Sequence, residues 1–399
     1  MKTLFLVIAL NTLAATIFAQ CNSTEEVNNM PTVYSKGYSE SYMPTAEQEK
    51  YLTGIFISVI EPALKSTKGL KGDWEPMGVL KGTPLVSQNG LSRSDIQMYM
   101  NLMGCKDHKI YEKHETGLII EFYLNSLHGV SIRCEHTENQ IVKNKNVEVT
   151  VADMLDGRQI YCLYKPTVSD KYANVAYFRK TGDAHYFIIA KPGVPLFVPL
   201  TVRQALEINN KNSLQKIDAF KQQLLSPDLQ PATRADYEKS MAKDFATYRS
   251  SYTDPEKFIS DLITELENLK KGGIKGIQFF IDFYTKSVNV VTEYLKTIPA
   301  TELEKPLISG TEFLNRPYIS LDDEQSGLNS RLQDANSQSE YVTYVMLNPA
   351  YLNTTISKAA PQFLTVEIRI QGGSAVALKA FNDFEANLDL KKLQDMLVK

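Results

Sequence analysis

The feature that most constrains this chain is a change of hydrophobic period. Between Lys109 and Leu200 apolar and polar residues tend to alternate, as in strands; beyond Thr201 apolar residues recur at three- and four-residue spacing, as on a helix. The change falls in KPGVPLFVPLTVRQALE, residues 191–207. Pro192-Gly193 turns the chain, while Pro195 and Pro199 fix their own φ and push their predecessors out of the helical region. Thr201 with Gln204 then forms a capping box that opens a helix. A sheet-building stretch followed by a helix-building one predicts an α+β protein with a boundary at residue 200.

Within the sheet-building part, residues 45–200, the spacing predicts a helix-plus-antiparallel-sheet domain. Thr45 and Gln48 make a capping box, and Leu52, Ile55, Phe56, Val59, Ile60 and Ala63 follow as one helical stripe. KGLKGDWEPMGVLKG reads as a glycine-rich connection, and a second helix is expected from Ser92 or Ser94 to Gly104. About six strands follow, mostly as a meander. VSIRCEHT alternates, whereas GLIIEFYL and HYFIIA are apolar on both faces, as in strands covered on both sides. Thr116-Gly117 and Thr181-Gly182-Asp183 are the expected hairpin turns.

Residues 201–297 read as a helical region. Tyr237, Met241, Phe245, Tyr248 and Tyr252 form one stripe, and Ile277, Ile281, Tyr284, Val288, Val291 and Leu295 form another. Thr253 and Glu256 frame a further capping box with Pro255 in the first turn. SPDLQPAT and KKGGIKG are the expected connections of a helical hairpin or bundle. Residues 298–399 are read as a C-terminal α+β segment. FLTVEIRI sets Leu364, Val366, Ile368 and Ile370 on a buried face against Thr365, Glu367 and Arg369 on a wet one. It either completes the earlier sheet, making the helices an insertion, or forms its own layer.

The first twenty residues, MKTLFLVIALNTLAATIFAQ, have a basic start at Lys2, an apolar run from Leu4 to Leu10 and a small residue at Ala19. This is the pattern of a secretory signal peptide cleaved after Ala19 or Gln20, too short and too interrupted for a membrane span. The expected location is therefore outside the cytoplasm: periplasmic, outer-membrane-associated or extracellular. Residues 21–44, rich in Asn, Ser, Thr and Tyr, read as a flexible tether. Cys21 stands where a bacterial lipoprotein carries its lipid, although Phe18-Ala19-Gln20 lacks the small residue normally found just before such a cysteine. The mature chain is expected to have no transmembrane span, and to meet a membrane only if Cys21 is lipid-anchored. With 43 basic and 46 acidic residues and no basic run, nucleic acid is excluded as an expected partner.

No phosphate loop, nucleophile elbow or zinc-binding helix is intact, and no cofactor is expected. HETG at His114 lacks a second histidine and lies in alternating sequence, which suits a solvent-facing position. Cys134 and His136 share a strand face, and Cys162 could lie on a neighbouring strand. A Cys134–Cys162 disulfide, a metal site of Cys134, His136 and Cys162, and two buried thiols beside a core histidine all remain open. Glu121, inside LIIEFYL, is the candidate catalytic residue, because a buried carboxyl has a raised pKa and can act as a general acid. An edge position or a salt bridge would explain the same residue.

The leader ending in FAQ, the junction PLFVPLTVRQALE and the close FEANLDLKKLQDMLVK resemble exported proteins of Bacteroidetes-type bacteria. The resemblance implies an envelope location and transfers no site residue. Three readings of function follow. The first is a non-catalytic envelope or secreted protein binding a protein or small-molecule partner; the second is a carboxylate-dependent hydrolase acting on a glycan or peptide. The third is a structural protein pairing through its long helices.

Overall fold

The period-two stretch begins earlier than the pattern predicts. The computed structural model describes residues 21–38, 42–80, 83–84, 91–133, 135–142, 145–152, 154–155, 158–307 and 341–398. In it Ser94–Lys106 is a strand, not the expected helix. Ile96, Met98, Met100 and Leu102 point to one face, with Asp95, Gln97 and Tyr99 on the other, which is a strand's alternation. KGLKGDWEPMGVLKG is likewise no mere connection, because Leu70–Met77 within it is a strand. Thr116-Gly117 is not a hairpin turn. The chain reverses at Asp107-His108, both at positive φ, and Lys109–Leu124 runs on as one strand through a bulge. At that bulge Gly117 has φ of 104°, and a Cβ there would lie 2.0 Å from the Met100 carbonyl oxygen.

The described residues form two compact units, one of those within 21–133, 158–199 and 341–398, the other of those within 135–155 and 200–307. In the first unit we label strands β1 (Val33–Lys36), β2 (Leu70–Met77), β3 (Ser94–Lys106), β4 (Lys109–Leu124), β5 (Ser131–Arg133), β6 (Arg158–Tyr164), β7 (Tyr177–Thr181), β8 (Ala184–Ala190), β9 (Phe197–Pro199), β10 (Tyr341–Leu347) and β11 (Phe363–Gln371). A seven-stranded sheet runs in the order β1-β2-β3-β4-β11-β8-β7. Only the β1–β2 pair is parallel. The β7–β8 hairpin turns at Gly182, as the sequence predicts. Beside it β6 pairs with β5 and β10, and β10 also with β9. The protein is α+β.

One face of the large sheet packs on helices. Ala46–Ile55 starts at the expected Thr45–Gln48 capping box and continues through a π turn, Phe56–Ile60, into Glu61–Lys65. With helices Ala375–Asn387 and Leu390–Asp395 it buries Leu52, Ile60 and Phe384 against Met98, Ile120, Phe122, Val366 and Ile368. On the other face Tyr177, Ile188 and Phe363 pack on Tyr161, Leu163, Val345 and Leu347 of the smaller sheet. Residues 298–399 are thus no separate segment. Ala300–Leu303 stays with the second unit, whereas β10 and β11 return to the first, because β11 has two central strands to pair with.

Nor are residues 21–44 a tether throughout. Thr24–Asn28 is a helical turn, β1 adds to the sheet edge, and Val27 is buried against Met103. Cys21 is disulfide-bonded to Cys105. A thioether-linked lipid would need the same sulfur, so the disulfide and lipidation at Cys21 exclude each other.

In the second unit Val202–Leu224 starts at the expected Thr201–Gln204 capping box. The following helices are Arg234–Ser240, Ala242–Ser251 and Pro255–Thr297, the last 43 residues long. Its cap is Asp254, whose side chain accepts from the Lys257 amide, rather than the expected Thr253–Glu256 box; Glu256 instead pairs with Arg249 and Arg234. KKGGIKG is not a connection but lies inside this helix. Flanking turns carry it through, although each interior glycine costs about 1 kcal/mol relative to alanine. Ile277 and Ile281 pack on Ile217 of the first helix. Glu135–Val142 and Lys145–Ala152 pair as an antiparallel ribbon. No helix among the described residues is long and apolar enough to cross a membrane.

The disulfide closes a chain separation of 84 residues, for which restriction of the unfolded state contributes about 2–4 kcal/mol. Cys105→Ser is expected to lower unfolding stability by that order in urea titrations. Reduction of the wild type should produce the same loss, and should leave the variant unchanged.

Candidate functional site

Burial separates the two faces of β4 and β11 less cleanly than their sequences suggest. FLTVEIRI alternates as a strand with one wet face, yet of its three polar residues only Arg369 is exposed. Thr365 is fully buried and Glu367 is 6% exposed. Both β4 and β11 are central, so their second face is covered too, and buried polar side chains are the informative ones.

Register sets three parallel rows across β3, β4, β11 and β8. The innermost is Asp95, Tyr123, Thr365 and Ile188; the middle is Gln97, Glu121, Glu367 and Tyr186; the outermost is Tyr99, Ile119, Arg369 and Ala184. The innermost row is closed, with Asp95 1% exposed; Glu121 in the middle row is 8% exposed; and in the outermost row Tyr99 and Arg369 are exposed while Ile119 and Ala184 stay buried. Glu121 and Glu367 thus stand directly opposite each other at the margin between core and solvent. Like charges in that relation repel, and low local dielectric strengthens the repulsion.

The segment 125–129 closes over the inner rows. Asn125, at positive φ, pins it by donating from Nδ2 to the carbonyls of Ser92 and Ala360 while its Oδ1 accepts from the Gln362 amide. Thr365 donates to the Ser126 carbonyl at 2.7 Å. The His128 ring lies 4.7 Å from that of Tyr123, and the Arg93 guanidinium 5.1 Å from the same ring. Arg93 also grips Asp95 through two nitrogens, at 2.6 and 2.9 Å. Gly129 has φ of 77°, and a Cβ on it would come 2.9 Å from Glu367 Oε2, so the backbone seals this side of the carboxyl.

Electrostatics follow from this enclosure. Burial, and then the charge of Glu121, push the Glu367 carboxyl above the usual carboxylate range, against the pull of Arg369 and a hydrogen bond from Tyr186. Arg369 Nε stands 3.7 Å from Glu367 Oε1. Burial pushes Asp95 up as well, opposed by Arg93. The Tyr123 hydroxyl is raised far above its ordinary value by burial, by the charge of Glu121 and by its hydrogen bond to that carboxylate. His128 is lowered by burial and by Arg93, against the charge of Glu121. The middle row therefore sets two carboxyl groups directly opposite each other, an arrangement suited to exchanging a proton or to binding a cation.

A second buried carboxylate lies on the helix-covered face. His185 Nδ1 is 3.0 Å from Glu385 Oε1, and the Tyr172 hydroxyl donates to the same oxygen. Burial pushes Glu385 up, but these two donors outweigh it and hold the carboxyl below its usual range. A cleft of about 450 Å³ nearby is lined by Lys171, Tyr172, Ile189, Leu390, Lys391 and Gln394, among others.

Of the sequence candidates, Glu121 is on a central strand rather than an edge, and the fold supplies its neighbouring acid, Glu367. Sequence reasoning missed Glu367, Asp95, Arg93 and His128. Glu367 reads as a surface residue because a regular alternation says nothing about what covers the polar side. Cys162 is buried in β6 opposite Ile132. Cys134 lies outside the described residues, as does the side chain of His136, whose strand pairs with Lys145–Ala152. No cluster of three or more His, Cys, Asp and Glu able to hold a metal occurs among the described residues. His114 is exposed. No protein family, curated protein or solved structure matches the chain.

Glu367 ionises less readily in the folded protein than in the unfolded chain, so the native state holds the extra proton. Its contribution is full below the ordinary carboxylate range and is lost as pH rises through the raised value. Glu367→Gln should remove this slope. Urea midpoints measured at several pH values should show the variant gaining on wild type from acid towards neutral pH.

Proposed function

We propose that this is an exported, non-catalytic binding protein that takes a cationic group, such as an amine or guanidinium of a small molecule or peptide, on the middle row of the sheet face. The observation that carries this reading is the apposition of Glu121 and Glu367. Of the guanidinium groups on this face, Arg93 is committed to Asp95, Arg369 stands 3.7 Å from Glu367, and Arg179 lies beyond Tyr186 in the middle row, over the Tyr164 ring. A ligand cation between the two glutamates would relieve their repulsion, and the rings of Tyr99 and Tyr186 flank the place it would occupy. Export rests on the leader pattern and is supported by the Cys21–Cys105 disulfide, since such bonds persist in oxidising compartments.

A second reading rests on the same pair. A carboxylic acid beside a carboxylate is the equipment of a glycosidase-like or peptidase-like acid–base step, with Glu367 as the acid and Glu121 as the base. Binding and hydrolysis separate in one set of measurements. Calorimetry with arginine amide and short lysine- or arginine-bearing peptides, in buffers of different ionisation enthalpy, should show proton release as the ligand drives Glu367 to ionise. Glu367→Gln should abolish that release, and Glu121→Gln should weaken binding by about tenfold or more. Turnover of a glycan or peptide panel that either variant eliminates would replace the binding reading with the hydrolytic one. If no cationic probe bound and nothing turned over, both readings would fall.

A further inference from the structure

The long helix, Pro255–Thr297, has two apolar seams, and its own unit uses one of them. Ile277, Ile281 and Val288 pack against the antiparallel helix Val202–Leu224. A second line runs through Leu269, Gly272, Gly276, Phe279 and Phe283, at alternating three- and four-residue steps. This is the a/d spacing of a coiled-coil seam. Leu269 is 66% and Phe279 54% exposed, and a Cβ added at Gly272 or Gly276 would meet no atom within 4 Å. The Phe279 and Phe283 rings stack on each other, with centroids 6.4 Å apart. Two bulky knobs are therefore presented beside two open hollows on one helix face. Helix propensity alone disfavours those glycines, so a close approach by another backbone gives them a physical reason.

We propose that this seam binds a second copy of the chain, with the two long helices antiparallel about a two-fold axis near Ile277 and Gln278. The arrangement is self-complementary in shape. Knobs and hollows have the same four-residue spacing, so one register seats Phe279 on Gly276 of the second copy and Phe283 on Gly272. The isologous symmetry then makes each contact twice. It is self-complementary in charge as well. In that register Lys275, flanking the seam, faces Asp282 of the second copy, and Asp282 faces the second Lys275. A parallel in-register pairing would instead set Phe279 against Phe279 and Gly276 against Gly276 and would keep Lys275 away from Asp282 of the second copy, losing both kinds of match. The charge match also favours a copy of this chain over a lipid surface, to which Asp282 would be unfavourable.

Sedimentation velocity of the full chain over a concentration series is expected to show a reversible dimer. Phe279→Asp with Phe283→Asp should yield a monomer of unchanged helical circular dichroism. Lys275→Asp and Asp282→Lys should each weaken dimerisation by about tenfold, and the double exchange should restore it. Register is read separately by oxidising a Lys275→Cys, Asp282→Cys variant, which should give a covalent dimer where the parent chain gives none. The two positions are seven residues apart on one helix, about 10 Å, too far to bridge within a chain. A strict monomer at every concentration would overturn the proposal. So would a dimer indifferent to the aspartates, or Phe-dependent capture by lipid vesicles without self-association.

Discussion

Two central strands of the sheet, β4 and β8, have their hydrogen bonds completed by one segment from the far end of the chain. β11 pairs with β4 along Leu364–Gln371 and with β8 along Phe363–Arg369. Without it both strands would present open edges in the middle of the molecule, and an unpaired strand edge is a template for association. Its apolar face, Leu364, Val366 and Ile368, also joins the helix-covered core. Forming these pairs requires closing loops of well over a hundred residues, a contact pattern that slows folding. The sheet is thus completed by its most distant contact, and the return of the chain after the second unit is part of the first unit's core.

That same strand creates the polar centre on the other face. Glu367 meets Glu121 only because β11 lies beside β4 in this register; a slip of one residue would turn Glu367 to the helices and Val366 or Ile368 to the polar face. Comparison with Glu385 shows what decides the behaviour of a buried carboxyl here. Burial pushes both upward. Glu385 has His185 and Tyr172 as donors and ends below its usual range, whereas Glu367 faces another carboxylate and ends above it. The partners, not the degree of burial, set the direction. Glu385 thereby fastens the helix Ala375–Asn387 to β8, whereas at Glu367 Arg369 and Tyr186 only partly offset burial and the facing carboxylate.

Legibility in the sequence followed the range of the interaction. Local signals were readable: the capping boxes at Thr45 and Thr201, the helical stripe through Ile277 and Ile281, the turn at Gly182 and the return to helix after Thr201. Errors arose where a local signal had a tertiary override. Glycines in KKGGIKG read as a break, but one continuous helix accommodates them because strong helical turns and packing lie on both sides. Thr116-Gly117 read as a turn, but the required left-handed conformation serves a bulge. The polar residues of Ser94–Lys106 obscured its alternation, since Asp95 is buried on a face that patterning assigns to solvent.

The sequence alone determined the mixture of helix and strand, the change of architecture near Thr201, the ends of several helices and the apolar setting of Glu121. Those depend on residues a few positions apart, whose backbone preferences and periodicity act before any tertiary contact exists. Tertiary structure decided that the amino-terminal segment is stapled through Cys21 to Cys105, that β11 lies between β4 and β8, and that Glu121 faces Glu367. These outcomes depend on which distant segments share a layer and in which register. Strand pairing is chosen by the burial and hydrogen bonding of the whole sheet, and no local stretch of the chain contains that information.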